Sequence, residues 1–188
     1  MVTFETFISI CLGIGLAASV GFRVFVPLFA LSLASYVGVW DLNDSWQWVG
    51  STTALVLFGV ATIVEIVSYY IPLIDNALDS IAIPLATIAG TLIMVSTVTD
   101  LNPVFTWTLA IIAGGGTASL IKSSSGATRL TSTVSTAGFG NNLVSSVENI
   151  IATSLSVIAI LFPVVAFVLV IFILYAIFKL YKKITKKR

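Results

Sequence analysis

The stretch FETFISICLGIGLAASVGFRVFVPLFALSLASYVGV, residues 4–39, decides the fold class of this protein. It is apolar along almost its whole length, with Glu5 near its start and Arg23 in its middle. About 20 apolar residues suffice to cross the hydrocarbon core of a bilayer, because a helix rises about 1.5 Å per residue. The stretch is too long for one untilted helix and contains Gly21 and Pro27. It therefore predicts two membrane segments separated by a break near Gly21.

The composition of the whole chain agrees with a membrane setting. Its 188 residues are 58% hydrophobic and 9% charged, whereas a soluble domain is about 45–50% apolar and about 25% charged. The mean hydropathy is +1.11. We expect an all-α protein, a polytopic bundle of transmembrane helices in which residues 1–188 form a single integral membrane domain.

Apolar runs and turn signals divide the rest of the chain. Residues 40–50 hold three tryptophans and two aspartates, which is typical of a loop in the membrane interface. We predict helices over residues 51–70, 81–98, 105–121 and 150–178, with a polar connection before residue 81 and with tilt or a kink at Pro163 in the last. The Gly114–Gly116 triplet predicts close packing of a neighbouring backbone. These runs indicate five to seven membrane segments, with broken or re-entrant helices.

The segment KSSSGATRLTSTVSTAGFGNN, Lys122–Asn142, is much more polar than the runs around it. It is rich in Ser, Thr and Gly, and its charged residues are Lys122 and Arg129. Three interpretations stay open. The segment is a flexible linker, a re-entrant segment whose backbone is satisfied by protein or water, or a loop that binds an anion or a lipid headgroup.

The order of features also allows an internal, inverted repeat with halves 4–98 and 105–180. In each half a glycine-containing helix leads to a further Gly, Arg, Glu and Pro: Gly21, Arg23, Glu65 and Pro84, then Gly126, Arg129, Glu148 and Pro163. Apolar helices resemble one another easily, and the spacings differ between the halves. Chance similarity therefore remains the alternative.

Basic residues concentrate at the C-terminus. Residues 179–188 hold six of the nine Lys and Arg residues of the chain. Such a cluster directly after an apolar helix marks the cytoplasmic side and anchors the helix at lipid headgroups. We expect an integral membrane protein with a basic cytoplasmic tail at residues 179–188 and membrane lipid as a partner. We expect no nucleic-acid partner.

The residue types exclude most enzyme chemistry. The chain has no histidine and a single cysteine, Cys11, which excludes Cys/His zinc sites, histidine-ligated haem and histidine-dependent triads. Asp75 and Asp79 share a helical face and could hold a hard cation with Asn76, or they could cap a helix at the membrane boundary. Two carboxylates are a weak metal signal. We expect no enzyme activity, no catalytic residue, no cofactor and no metal.

The remaining charges must be explained, because an ionised group in hydrocarbon costs about 2.5–3.5 kcal/mol. Arg23 needs a carboxylate, backbone carbonyls at a helix break or an anionic ligand. Glu65 could bind a cation, exchange protons, or pair with Arg23 or Arg129 as a structural lock. Glu148 ends the sequence SSVE from Ser145, which is typical of a capping box that opens a helix.

The stretches EIVSYYIPLIDNALDSIAIPLATIAGTL, Glu65–Leu92, and IKSSSGATRLTSTVSTAGFGNNLVSSVEN, Ile121–Asn149, resemble a family of bacterial membrane proteins described as domain of unknown function 4126. The matching positions are Glu65, Pro72, Asp75, Asp79, Pro84, Lys122, Arg129, Gly140, Asn141, Ser145 and Glu148. This chain has Asn142 where the family often has proline. The resemblance covers nearly the whole chain and implies a protein of the bacterial inner (cytoplasmic) membrane with these candidate residues, without implying a substrate.

Three functional hypotheses follow. The first is a small transporter or channel-like protein for an ion or small solute, forming a homo-oligomer, in which Arg23, Glu65, Arg129 and Glu148 border a polar centre between broken helices. The second is a non-transporting scaffold or accessory subunit whose charges lock its fold. The third is a protein that handles anionic ligands or lipid headgroups through residues 122–142.

Overall fold

A computed structural model describes residues 3–136 and 138–185, and only the backbone at 72, 73, 75, 76, 184 and 185. The described residues form helices joined by short connections. In chain order the elements are α1 (Phe4–Val20), α2 (Phe25–Tyr36), a 3₁₀ helix (Asp44–Gly50), α3 (Thr52–Ser68), α4 (Pro72–Thr97), α5 (Pro103–Leu109), a π-helical segment (Ala110–Gly115), α6 (Gly116–Thr136), α7 (Asn141–Leu161) and α8 (Pro163–Thr185). The predicted all-α class is confirmed.

The first apolar block breaks where the sequence predicts. Helix α1 ends at Val20 and α2 begins at Phe25. A Cβ atom at Gly21 would lie 2.9 Å from the carbonyl oxygen of Ala118 in α6, so glycine lets the two backbones approach closely. Pro27 lies in the first turn of α2, where its missing N–H breaks no helical hydrogen bond.

Helices α1 and α2 form a hairpin whose apex is the break at residues 21–24. In α1, a Cβ atom at Gly13 would meet the side chain of Thr97, the last residue of α4. After α2, the backbone N–H of Asn43 donates to the carbonyl of Ser96 at 3.0 Å. Both arms of the hairpin therefore point to the C-terminal end of α4, while Arg23 at the apex reaches the beginning of α7.

Two predicted polar interruptions are wrong. Residues 72–80, predicted to be a connection, are the first turns of α4, which continues through Pro84. Proline is favourable at the first helical position, where Pro72 stands, because its missing N–H has no partner there in any case.

Residues 122–136, interpreted as a linker, loop or re-entrant segment, belong to α6. Their hydroxyls hydrogen-bond within the helix: Ser123 donates to the carbonyl of Ser119 at 2.7 Å, and Thr131 donates to that of Ala127 at 2.8 Å. Side chains that bond to the preceding turn satisfy their own polar groups and leave the helical backbone intact. Residues 138–140 form a turn, and α7 begins at Asn141.

The predicted close packing at the glycine triplet is confirmed. The π-helical segment packs against α4, and a Cβ atom at Gly114 would lie 2.7 Å from the Cβ of Met94. A Cβ atom at Gly90 would in turn lie 2.8 Å from the carbonyl oxygen of Gly114. Neither helix can carry a side chain at this crossing without moving away from the other.

The protein is a membrane-spanning helical bundle with four or five candidate spans among the described helices. Four described helices are long and apolar enough to cross a membrane: Ala77–Thr97, Pro103–Thr136, Asn141–Leu161 and Pro163–Lys183. The count is five if the bent pair Asp44–Gly50 and Thr52–Ser68 forms one span. The range of five to seven is not confirmed. The stretch 150–178, predicted as one segment with tilt or a kink at Pro163, is divided between two helices, because α7 ends at Leu161 and α8 begins at Pro163.

The predicted internal repeat is not confirmed. Arg23 lies in a break between helices, whereas Arg129 lies inside α6. Glu65 lies near the end of α3, whereas Glu148 lies near the beginning of α7. Residues in equivalent positions of a repeat should occupy equivalent positions in their helices, and these pairs do not.

A buried ionic centre as the candidate functional site

The three basic residues outside the C-terminal tail meet inside the bundle. Arg23, Lys122 and Arg129 are 0%, 2% and 2% exposed, respectively. Carboxylates from α3, α4 and α7 join them around one tyrosine. We call this cluster the ionic centre, and it consists of Arg23, Glu65, Tyr69, Asp79, Lys122, Arg129 and Glu148.

Glu148 is bound by both arginines. Its Oε2 lies 3.2 Å from Nη2 of Arg23 and 2.5 Å from Nη2 of Arg129. The hydroxyl of Ser125 donates to Oε1. Three segments, the α1–α2 break, α6 and α7, are therefore held together by one carboxylate.

The capping-box interpretation of Ser145 and Glu148 is wrong. Helix α7 begins at Asn141, so Ser145 lies beyond its first turn. The hydroxyl of Ser145 accepts a hydrogen bond of 2.7 Å from Nη2 of Arg129 instead of one from the helix N-terminus. The donor to the Ser145 hydroxyl is therefore Arg129 of α6, and not the backbone N–H that a capping box would supply.

Arg23 finds the partners that its position predicts. Its Nε donates to Oδ1 of Asn149 at 2.6 Å, and its Nη2 donates to the carbonyl of Ser145 at 3.1 Å. Together with Glu148 these supply a carboxylate, an amide and a backbone carbonyl. Nη1 of Arg23 makes no hydrogen bond within the part of the chain that the structure describes.

Tyr69 organises the cations and was not predicted as a site residue. It directly follows α3, and its ring centroid lies 3.9 Å from Cζ of Arg23 and 4.5 Å from Cζ of Arg129. Nζ of Lys122 donates to its hydroxyl at 3.2 Å. An aromatic ring attracts cations through its electron-rich face. The signal in the sequence is its spacing of four residues from Glu65, which places both on one helical face.

Glu65 caps a helix and does not form the predicted ion pair. Its Oε1 accepts from the backbone N–H of Val24 at 2.8 Å, and its Oε2 accepts from that of Phe25 at 2.9 Å. These N–H groups begin α2, where Val24 supplies no capping side chain of its own. Among the described residues, no basic group lies within 4.0 Å of the Glu65 carboxylate. The predicted lock between Glu65 and Arg23 or Arg129 is therefore wrong.

The other candidates lie at different distances from the centre. Asp79 is half-buried, with Oδ2 4.0 Å from Nη1 of Arg129. Asn141 lies at the start of α7 and donates from Nδ2 to Oγ1 of Thr133 at 2.9 Å, so it links α7 to α6. Asp75 belongs to α4, but its side chain lies outside the described residues.

A groove of about 360 Å³ opens between α3 and α4 beside the ionic centre. Its walls are apolar, with Leu57 and Val60 from α3 and Leu78 and Leu85 from α4. Glu65 is the one charged residue among those that line it in the described part of the chain. We call this feature the α3–α4 groove.

Comparison with known proteins places the chain in a family. Residues 10–183 match the family described as domain of unknown function 4126. No curated protein and no solved structure matches the chain. The match covers nearly the whole sequence, including every residue of the ionic centre. The chain belongs to the domain of unknown function 4126 family.

Proposed function

We propose that this protein is a small membrane carrier for a cation or proton, and that Glu65 is the carboxylate that binds it. The observation that carries the proposal is the contrast between two buried carboxylates. Glu148 is occupied by two arginines, whereas Glu65 lines an open groove and has no described basic group within 4.0 Å.

The hydrogen bonds of Glu65 leave room for a ligand. A carboxylate has about four acceptor sites on its two oxygens, and the N–H groups of Val24 and Phe25 occupy two of them. An ionisable group inside a membrane protein is expensive to keep and often marks an ion or proton pathway. A cation or proton bound at Glu65 would neutralise the carboxylate and so reduce the free-energy cost of burying its charge.

Binding at Glu65 would also act on the helix break. Its two backbone hydrogen bonds hold the apex of the α1–α2 hairpin. A proton on one oxygen would weaken the bond that this oxygen accepts, and the apex would loosen. Discontinuous helices that hold a ligand at their break are a recurring device of carriers. We propose that the hairpin is re-entrant, with its apex inside the membrane.

Exchange in liposomes tests the proposal. The purified protein is reconstituted into vesicles that enclose a pH-sensitive dye. An outward concentration gradient of Na⁺, K⁺ or tetramethylammonium is then imposed across the vesicle membrane. We expect at least one gradient to change the internal pH faster than in protein-free vesicles, and Glu65→Gln to abolish the difference. Glu5→Gln, at the exposed start of α1, is the matched control. Indistinguishable traces from protein-containing and empty vesicles for every gradient would exclude the carrier.

A scaffold or accessory subunit is the second candidate. It is favoured by the way Arg23, Glu148 and Arg129 satisfy one another, which is what a structural lock requires. Purification from native membranes under mild detergent separates the two proposals. Stoichiometric recovery of a larger partner favours the scaffold, whereas a single protein species, as a monomer or homo-oligomer, favours the carrier.

A further inference from the structure

We infer that the α3–α4 groove binds an organic cation with an apolar body, which enters sideways from the bilayer and places its charge against Glu65. The inference rests on the proposed function and names the class of ligand that the same carboxylate takes.

The size and lining of the groove favour an organic body over a bare ion. Its volume of about 360 Å³ lies in the range of about 300–1,000 Å³ that is typical of small-molecule sites. Calcium needs six to eight oxygen ligands and magnesium near-octahedral oxygen geometry. Among the described lining residues, the side-chain oxygens come from Glu65, Ser68 and Tyr69. The rest of the wall offers hydrocarbon, which an apolar body can bury.

The position of the charges favours a cation over an anion. Arg23 and Arg129 both bind Glu148 and stack on the ring of Tyr69. They contribute no atoms to the groove wall. Tyr69 is 4% exposed, so little of it reaches the surface. A ligand in the groove therefore meets Glu65 as its nearest charge.

The mouth of the groove explains the route of entry. Val60 and Val64 line it and are 56% and 58% exposed. Together with the 3₁₀ helix before it, α3 is the fifth candidate span, and exposed valines on a spanning helix face lipid. A hydrophobic cation dissolved in the bilayer reaches the groove without crossing water. Its positive charge then meets the Glu65 carboxylate, which is hydrogen-bonded but has no described ion-pair partner.

Two probes of the same shape and opposite charge test this inference. The full-length protein in lipid nanodiscs is titrated with tetraphenylphosphonium, a hydrophobic cation, and with tetraphenylborate, its anionic counterpart. We expect saturable binding of tetraphenylphosphonium at one site per chain. We expect Glu65→Gln to weaken it by at least about tenfold, as loss of one member of a desolvated charge pair does. Saturable and tighter binding of tetraphenylborate would overturn the inference.

A second variant separates the groove from the fold. Ala61→Phe fills the groove and leaves Glu65 in place, so we expect it also to weaken binding of tetraphenylphosphonium by about tenfold. The matched control is Ala176→Phe, on an exposed position of α8, which should bind like the wild type. Unchanged affinity in Ala61→Phe would overturn the location of the site.

The inference and the carrier can fail independently. Glu65-dependent exchange of Na⁺ or K⁺ for protons, without saturable tetraphenylphosphonium binding, would refute the ligand class and leave the carrier standing. Glu65-dependent binding without movement of any cation across the vesicle membrane would refute the carrier and leave the groove as a binding site.

Discussion

Arg23, at the break after α1, lies 3.2 Å from Glu148, in the second turn of α7. The contact joins the first helical hairpin to the C-terminal half of the chain. Both side chains are buried, so the attraction is screened little by water and neither charge has an alternative partner in solvent. The ionic centre is therefore part of what holds the bundle together, as well as the setting of the proposed site.

Replacing Glu148 by glutamine should destabilise the protein strongly. The variant removes the one negative charge that Arg23 and Arg129 both contact. Leaving a buried charge without its partner costs about 3–5 kcal/mol. Thermal unfolding in detergent, followed by tryptophan fluorescence, measures the loss. Glu5→Gln should stay within about 0.5 kcal/mol of the wild type, and an equal melting temperature for both variants would contradict the role of Glu148.

Arg129 and Glu148 should be energetically coupled. Three atom pairs between the two side chains lie within 3.2 Å: Nε of Arg129 contacts both carboxylate oxygens, and Nη2 contacts Oε2. In a double-mutant cycle with Arg129→Gln and Glu148→Gln, the double variant should be more stable than the sum of the single losses predicts. We expect a coupling of about 0.5–3 kcal/mol. Additive losses would show that the two residues act separately.

Two substitutions of Tyr69 should separate its ring from its hydroxyl. Tyr69→Phe keeps the surface on which Arg23 and Arg129 stack and loses the hydrogen bond from Lys122. We expect a loss of about 1 kcal/mol. Tyr69→Ala removes the ring as well and should cost about 3 kcal/mol or more. Equal stability of the two variants would mean that the ring contributes nothing to the cluster.

Glycines of the same long helical run should respond in opposite ways to alanine. A Cβ atom at Gly114 would lie 2.7 Å from the Cβ of Met94, so Gly114→Ala should cost about 1–3 kcal/mol. At Gly126 no heavy atom lies within 4 Å of an added Cβ, so Gly126→Ala should stabilise by about 0.4–1 kcal/mol. Melting temperatures in one detergent compare them directly. A destabilised Gly126→Ala would contradict the open surroundings of that position.

The location of the candidate site was predictable in outline because charge is expensive in a membrane. Arg23, Glu65, Arg129 and Glu148 stand out against apolar neighbours, and the structure brings all four together. Their partners were not predictable. Glu65 accepts hydrogen bonds from backbone N–H groups at a helix break. Every residue except proline has such a group, so the residue types do not indicate which ones will bind a carboxylate.

The Ser/Thr segment shows why composition misled in one place. Ser and Thr compete with helical hydrogen bonding in isolation, so Lys122–Asn142 resembled a linker. In the structure Lys122 and Arg129, seven residues apart, both point from α6 into the ionic centre. That spacing is two helical turns, and tertiary ion pairing outweighs the weak local preference.

The sequence by itself determined the membrane setting, the helical class and the break near Gly21. Hydropathy, glycine and proline affect the conformation of the chain within a few residues, so their effects can be predicted from the local sequence. Only the tertiary structure decided which carboxylate binds which partner. Glu148 forms ion pairs with Arg23 and Arg129, whereas Glu65 accepts hydrogen bonds from the backbone N–H groups that begin α2. That choice depends on which helix ends pack side by side, and no local pattern records it.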